Sequence, residues 1–361
     1  MSGKTSMPPL EQLPIPLLEW FGEHARRLPW RDDPTPYHVW VSEIMLQQTR
    51  VAAVVDYYRR FMDAVPTVAD LAQLDPDQLM KLWQGLGYYS RARNLHKAAG
   101  QIMDRFGGEF PMDYEDIRSL AGVGDYTAGA IASIAFGQPV PAVDGNVLRV
   151  VSRINGDEAD ITLPAAKRRI GAQIEQIMPI AQPGAFNQAL MELGATVCLP
   201  NGAPLCDRCP ARGFCRAHLE ERTGQIPVKT PKKARRVEER VVFLIFHEGQ
   251  VALRRREEKG LLAGLWEYPN EPAPAEHALQ DWGIDAQGVP AGTGRHIFTH
   301  IEWHMRAQCV QADSADLPGG WAWAGREELA RQYAVPNAFR AFEEKVLEQL
   351  GRFGQERDYD L

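Results

Sequence analysis

The sequence predicts a multidomain protein, with an all-α region over roughly the first 228 residues and an α+β domain from residue 241 onward. Three observations carry that expectation. At 361 residues the chain is too long for one ordinary core. Apolar residues in the first region recur at helical spacing, with no alternating stretch of any length. Near residue 225 the composition changes. Residues 225–240 hold Pro227 and Pro231 with Lys229, Lys232, Lys233, Arg235 and Arg236, so 229–240 reads as a polar linker, and strand-like alternation follows it.

Each element follows from local signals. Over 38–62, Trp40, Ile44, Val51, Val54, Val55, Tyr58 and Phe61 fall near helical spacing, and the polar run Gln47-Gln48-Thr49 breaks the stretch into two helices. Asp75-Pro76 supplies an N-cap and a first-turn proline, with Leu79, Leu82 and Trp83 on one face. A helix over 89–106 stops at Gly107-Gly108 and Pro111. Short helices over 114–120 and 127–136 flank a glycine turn, and another over 145–153 follows Asp144. Further on, 241–246 and 251–253 read as strands joined by His247-Glu248-Gly249-Gln250, 296–310 as another strand pair, and 338–350 as a closing helix.

Composition narrows the function classes. The hydrophobic fraction of 45% and charged fraction of 24% are those of a globular protein. No apolar run approaches bilayer length, and the first 13 residues lack the apolar core of a secretion signal, so a cytoplasmic protein without a membrane partner is expected. The net charge of -7 gives no basic footprint, so any contact with nucleic acid must come from a local groove.

Four of the five cysteines crowd together as Cys198-x7-Cys206-x2-Cys209-x5-Cys215, and Cys309 stands apart. Four thiolates in one loop can close around a zinc ion or a [4Fe–4S] cluster. Only one short C-x2-C pair is present, whereas zinc ribbons use two, and this favours iron–sulfur. In the glycine turn, Leu120-Ala121-Gly122-Val123-Gly124-Asp125-Tyr126-Thr127, Gly122 and Gly124 permit outward main-chain N–H groups beside a helix N-terminus. That is a phosphate clamp of the helix–hairpin–helix kind, and Gly122, Val123 and Gly124 are its candidate DNA contacts.

The hairpin, the stretch Pro141-Ala142-Val143-Asp144-Gly145-Asn146-Val147 and the cysteine loop together resemble the endonuclease III superfamily of DNA glycosylases. Ser42-Glu43-Ile44-Met45-Leu46-Gln47-Gln48-Thr49-Arg50-Val51 and Gly85-Leu86-Gly87-Tyr88-Tyr89-Ser90-Arg91-Ala92-Arg93-Asn94 are similar to its adenine DNA glycosylase (MutY) branch. The resemblance spans about residues 20–220. It implies a catalytic region over 1–228, made of a six-helix barrel at about 30–140 and a cluster domain from 1–29 plus 141–228. It also implies one [4Fe–4S] cluster on Cys198, Cys206, Cys209 and Cys215. The first cysteine gap, seven residues where the family has six, is a departure that a loop can absorb. The implied partner is double-stranded DNA with an A:8-oxoguanine or A:G mispair, bound by a monomer that is nucleoid-associated when on DNA.

Removing adenine by hydrolysis requires a proton for the leaving base and a negative charge beside the oxocarbenium-like sugar. By resemblance Glu43 is the general acid at adenine N7, and its apolar flank Val39-Trp40-Val41 favours a raised pKa. Asp144 stabilises the sugar cation, and the helix it caps is expected to keep it ionised. Bifunctional members carry a lysine after the residue matching Asp125. This chain has Tyr126, which cannot form an imine, so base removal without strand cleavage is expected. Tyr126 and Asn146 are expected to orient the acid pair. The adenine must leave the stack, and Gln48 and Tyr88 are the implied intercalating residues. Arg26, Trp30, Arg31 and Gln188 are candidate pocket residues.

Gly260-Leu261-Leu262-Ala263-Gly264-Leu265-Trp266-Glu267-Tyr268-Pro269 is similar to the Nudix-related domain that ends the adenine branch, here 241–361. The following region offers only Glu271, Glu276 and Asp281 in place of the Arg-Glu-x-x-Glu-Glu helix that holds Mg²⁺, so recognition of 8-oxoguanine is expected rather than nucleotide hydrolysis. Phe298-Thr299-His300 stands where the family usually has Phe-Ser-His, which makes Thr299 and His300 the candidate sensors. The rival readings are an endonuclease III-type glycosylase and lyase for oxidised pyrimidines, a Nudix hydrolase, and a non-catalytic iron–sulfur DNA sensor. Tyr126, the absent acidic helix and the pair Glu43 and Asp144 count against these in turn.

Overall fold

The computed structural model describes residues 8–231 and 234–357, with side chains through Gly351. The first seven residues of the expected cluster domain, Lys232 and Lys233 of the expected linker, and the last four residues lie outside the described part. The chain forms two units, one from residues 1–73 and 94–231 and the other from 74–93 and 232–361.

The first unit is helical, and no strand occurs among its described residues. Pro14–His24, Pro29–Asp32, Pro36–Leu46, Pro164–Ile177 and Pro183–Thr196 each begin with proline, where the missing N–H costs nothing. Pro36–Leu46 and Val51–Ala64 are separated at Gln48, whose φ of 57° places it in the left-handed region. Pro36–Leu46 packs on Asp125–Phe136, which packs on Pro183–Thr196, which packs in turn on Gly145–Asn155. The last two helices share a core of Val147, Val150, Val151, Ile154, Phe186, Leu190 and Leu193 with Leu13 and Leu17. Gly194 is required there, because a Cβ on it would lie 2.5 Å from Asn146 Cβ. The absence of that side chain is what lets the start of Gly145–Asn155 sit close against Pro183–Thr196.

The second unit carries a mixed sheet of β1 (Arg236–His247), β2 (Gln250–Arg255), β3 (Trp266–Glu267), β4 (Asn270–Pro272), β5 (Gly288–Ile297), β6 (Ile301–Gln311) and β7 (Trp321–Ala324). The main path runs β3-β2-β1-β6-β5, with β4 on β1 and β7 on β2. β1 and β6 are parallel from Arg236 opposite Ile301 to Phe246 opposite Gln311, and the other pairings are antiparallel. Alternate residues of β1 feed two cores. Val242, Leu244 and Phe246 pack with Phe339, Phe342 and Val346, while Val241, Phe243 and Ile245 pack with Ala278 and Ile284. The β1–β2 turn is Glu248-Gly249, with φ of 44° and 77°, the geometry of a two-residue hairpin.

Two expectations are corrected. The stretch 229–240 is not all linker, since β1 begins at Arg236 and its charged first half pairs in register with β6. Its charge is compatible with a strand because Arg240 lies over the Trp303 ring, 4.7 Å from its centre, and Glu238 accepts from Trp303 Nε1 at 2.9 Å. Residues 74–93 lie within the stretch that the sequence assigns to the catalytic region, and their backbone groups with the second unit. The closing helix starts as a 3-10 turn, Asn337–Phe342, before Glu343–Arg357.

Candidate active site

Glu43 lies on Pro36–Leu46 and is 6% exposed. Tyr126, in the first turn of Asp125–Phe136, donates its hydroxyl to Glu43 Oε2 at 2.5 Å and also lies 3.1 Å from Met191 Sδ. Burial pushes the Glu43 carboxyl up to about 7, against the Tyr126 hydrogen bond and the Arg31 charge, and the nearby Asp144 charge adds to the rise. A group balanced in this way can both give and take a proton near neutrality. Tyr126 itself is held well above its ordinary range by burial and by the charges of Glu43 and Asp144, so it stays a neutral donor.

Asp144 is the N-cap of Gly145–Asn155. Its Oδ1 accepts from Val147 N at 2.7 Å and its Oδ2 from Asn146 Nδ2 at 2.7 Å. These bonds and the Arg149 charge draw its pKa down, but burial outweighs them and the net direction is upward. The cap was expected to hold it low; desolvation, which the sequence does not reveal, is the larger effect. Asn146 Oδ1 accepts from Arg149 Nη2 at 2.8 Å, which fixes the amide so that its NH2 faces Asp144.

Beside Glu43's helix, Arg26 and Arg31 converge on Glu192, which is 1% exposed. Arg26 Nε donates to its Oε1 at 2.5 Å and Arg31 Nη2 to its Oε2 at 3.0 Å. Arg31 Nε also donates to Gln188 Oε1 at 3.0 Å, so these two pocket candidates meet. Trp30 is buried and packs edge-on to Tyr58 at 5.4 Å. Sequence reading missed Glu192 and Arg149. Each had a helical signal, Glu192 four residues after Gln188 and Arg149 three after Asn146.

The hairpin residues lie in the loop before Asp125–Phe136. Gly122 has φ of 75°, and a Cβ there would stand 2.6 Å from Asn94 Cβ, so glycine is required twice over. Among the described residues the N–H groups of Gly122 and Gly124 have no protein acceptor, whereas Val123 N is bonded to Leu120 O and its side chain is buried. Gln48 is exposed at the break between helices, and its neighbour Gln47 donates to Thr127 Oγ1 at 3.3 Å, anchoring the break to Asp125–Phe136. In the second unit, Thr299 and His300 form the exposed tip of the β5–β6 hairpin, closed by Phe298 N to Ile301 O at 2.8 Å. Tyr88 is 45% exposed, and its hydroxyl is 3.5 Å from Thr299 Oγ1.

The four clustered cysteines line one cavity with Arg153, Arg212 and His218. Arg153 Nη1 lies 3.3 Å from Cys198 Sγ, and Arg149 Nε donates to Cys198 O at 2.7 Å. Burial and mutual repulsion push Cys209 up to about 12 and Cys215 to about 11. A bound metal ion or cluster lowers thiol proton affinity and draws coordinating thiols into the thiolate form. Four sulfur atoms flanked by guanidinium groups suit, by charge, a group that carries net negative charge, although among the described residues no three His, Cys, Asp or Glu side chains stand together as a metal-holding group.

Residues 41–176 match the HhH-GPD superfamily base excision DNA repair protein family, and residues 241–345 match the NUDIX domain family. Adenine DNA glycosylase of Rattus norvegicus is 36% identical over 400 residues, covering 91% of this chain and 77% of that protein. Adenine DNA glycosylase of Buchnera aphidicola subsp. Schizaphis graminum is 36% identical over 296 residues, covering 80% and 84%. Among solved structures, a thermostable thymine-DNA glycosylase matches 59% of this chain and 97% of its own, with 26% identity and a TM-score of 0.54.

Proposed function

The chain belongs to the adenine DNA glycosylase family, and from that premise we propose that it hydrolyses the N-glycosidic bond of adenine opposite 8-oxoguanine or guanine in double-stranded DNA, leaving an abasic site and an uncut strand. The observation that carries the reading is Glu43, a buried carboxyl to which no cation is directly bonded among the described residues, raised to about 7 and held by Tyr126.

The steps follow from the groups present. Protonated Glu43 gives its proton to N7 of the extruded adenine. As the C1′–N9 bond breaks, its electron pair leaves with the base, which departs neutral. The sugar becomes oxocarbenium-like, and the Asp144 carboxylate, oriented by Val147 N and Asn146, stabilises it. Water adds at C1′, and the Glu43 carboxylate takes its proton, restoring the acid. With a phenol at position 126 no imine forms, so the strand is not cut by elimination.

Cys198, Cys206, Cys209 and Cys215 would hold one [4Fe–4S] cluster, which when bound ties their loop into a fixed knot beside Gly145–Asn155. In the second unit the exposed Thr299-His300 tip is read as the sensor of the base opposite adenine, and Gln48 and Tyr88 as the residues that fill the stack.

The test is to incubate the protein with duplexes carrying A opposite 8-oxoguanine, A opposite G, A opposite T, and thymine glycol. Adenine loss from the first two, with breaks only after alkali, is expected. Direct nicking at thymine glycol would overturn the assignment in favour of a lyase. Purified protein is expected to contain iron and inorganic sulfide, and zinc alone would reject the cluster.

A further inference from the structure

Residues 74–93 carry Tyr88, and polar groups pin this segment to the rest of the second unit on both sides of it. Lys81 Nζ donates to the carbonyls of Leu329 at 2.7 Å and Tyr333 at 3.1 Å, at the C-terminal end of Arg326–Arg331. Gln84 Nε2 donates to Val335 O at 2.8 Å, and Asn337 Nδ2 returns the bond to Gly85 O at 3.1 Å. Arg255 pairs with Asp77 at 3.1 Å, and beyond Tyr88 Arg93 Nη1 donates to Ala263 O at 2.9 Å.

The loop between these anchors is itself tightly determined. Gly85, Gly87 and Tyr88 all have positive φ, at 102°, 72° and 47°. For tyrosine this conformation persists only where the surroundings impose it. Here Trp83 Nε1 donates to Gly87 O at 3.2 Å, and Arg91 Nη2 to Leu86 O at 3.3 Å and Gly87 O at 3.1 Å. The product of this bracing is an exposed Tyr88 hydroxyl 3.5 Å from the exposed Thr299 hydroxyl.

We propose that Lys81, Gln84 and Asn337 are positioning residues that hold Tyr88 and the Thr299-His300 turn as one preassembled clamp on the base opposite adenine, so that discrimination of that base depends on the brace as well as on the tips. This rests on the reading of 298–300 as the sensor. 8-Oxoguanine and guanine differ by a few polar atoms, and a tip reads such a difference only if its donors are already placed. A loose tip relaxes onto either base and loses the distinction. The contacts of Lys81, Gln84 and Asn337 suit that task because they are directed at main-chain carbonyls and fix register.

The test uses the full-length protein and duplexes with an uncleavable adenine analogue opposite 8-oxoguanine or guanine, at one salt concentration. The readout is the ratio of the two dissociation constants. General loss of structure weakens both complexes and leaves the ratio in place. Lys81→Met and Asn337→Ala, the latter at an exposed position, are each expected to lower the 8-oxoguanine preference by about fivefold, within the range of couplings between neighbouring groups. Lys81→Arg, which can still reach two carbonyls, is expected to restore it. Thr299→Ala is expected to lower the ratio as well, and Lys81→Met added to Thr299→Ala to lower it little further. A preference kept by Lys81→Met and Asn337→Ala but lost in Thr299→Ala would overturn the brace and spare the sensor. Losses that simply multiply in the double variant would also overturn the brace. A preference untouched by Thr299→Ala would remove the sensor reading, and the brace with it.

Discussion

Glu43 and Glu192 are both buried in the helical unit, at 6% and 1% exposure, yet their proton affinities move in opposite directions. For Glu192, burial alone would raise the pKa, but hydrogen bonds and charge from Arg26 and Arg31 outweigh it and the carboxyl is held below its ordinary value. Glu43 receives a hydroxyl from Tyr126 and, among the described residues, no guanidinium, so burial wins and the carboxyl rises to about 7. The difference lies in how the cations are allocated. Arg31 bonds Glu192 and Gln188, so its charge is the smallest of the influences on Glu43. A buried glutamate keeps its proton more tightly here because the neighbouring cations are engaged elsewhere.

The strongest challenge to that contrast is Glu43→Gln. It should slow adenine excision by about a thousandfold in single-turnover assays while DNA affinity is retained. A variant within tenfold of the parent would remove Glu43 from the chemistry. The same substitution has a signature in stability. Glu43's folded pKa is raised from 4.5 to about 7, so its contribution is fully present below the lower value and is lost as pH climbs through the upper one. The parent should therefore lose up to about 3 kcal/mol between pH 4 and pH 8 that Glu43→Gln does not lose. Thermal unfolding across that window decides it, and parallel curves would contradict the raised pKa.

Glu192→Ala sharpens the other half. It leaves two guanidinium groups without their carboxylate, and allowing for the solvent that reaches Arg26 it should cost about 2 kcal/mol. Arg31 would then be free to act on Glu43, so the alkaline limb of the excision profile should move to lower pH. A limb that stays in place would show that the two carboxyls do not compete. Smallest in effect is Tyr126→Phe. Removing the hydroxyl takes away a bond that lowers the Glu43 pKa, so the alkaline limb should move upward, with a rate loss of about tenfold or less.

What the sequence made legible was local. The break at Gln48, the cap at Asp75, the cap at Asp144 and the tight turn at Gly122 each depend on residues within a few positions, and each stands where expected. Glu43, Tyr126 and Asp144 were legible as motif members, and their mutual influence is evident in the fold. Long-range features were not legible. Arg26 meets Glu192 across 166 positions, and periodicity has no access to such a pairing. The charged start of β1 looked like linker because its partner, β6, begins 65 residues later. The place of 74–93 in the second unit depends on carbonyls near Leu329 and Val335, which no residue-type pattern announces. The direction of Asp144's pKa was misjudged for the same reason, since the cap is local and the burial is not.

On the proposed mechanism Asp144 combines its helix cap with a second duty at the sugar, and this shapes how the site can decay. Asparagine caps a helix about as well as aspartate, whereas alanine forfeits roughly 1 kcal/mol there. Lineages that abandon excision but keep the scaffold should therefore drift at this codon toward Asn, which leaves the helix start intact and cancels only the fixed anion. Replacement by an aliphatic residue would surrender fold and turnover together, and sequences bearing it should be rarer among surviving descendants than those bearing Asn.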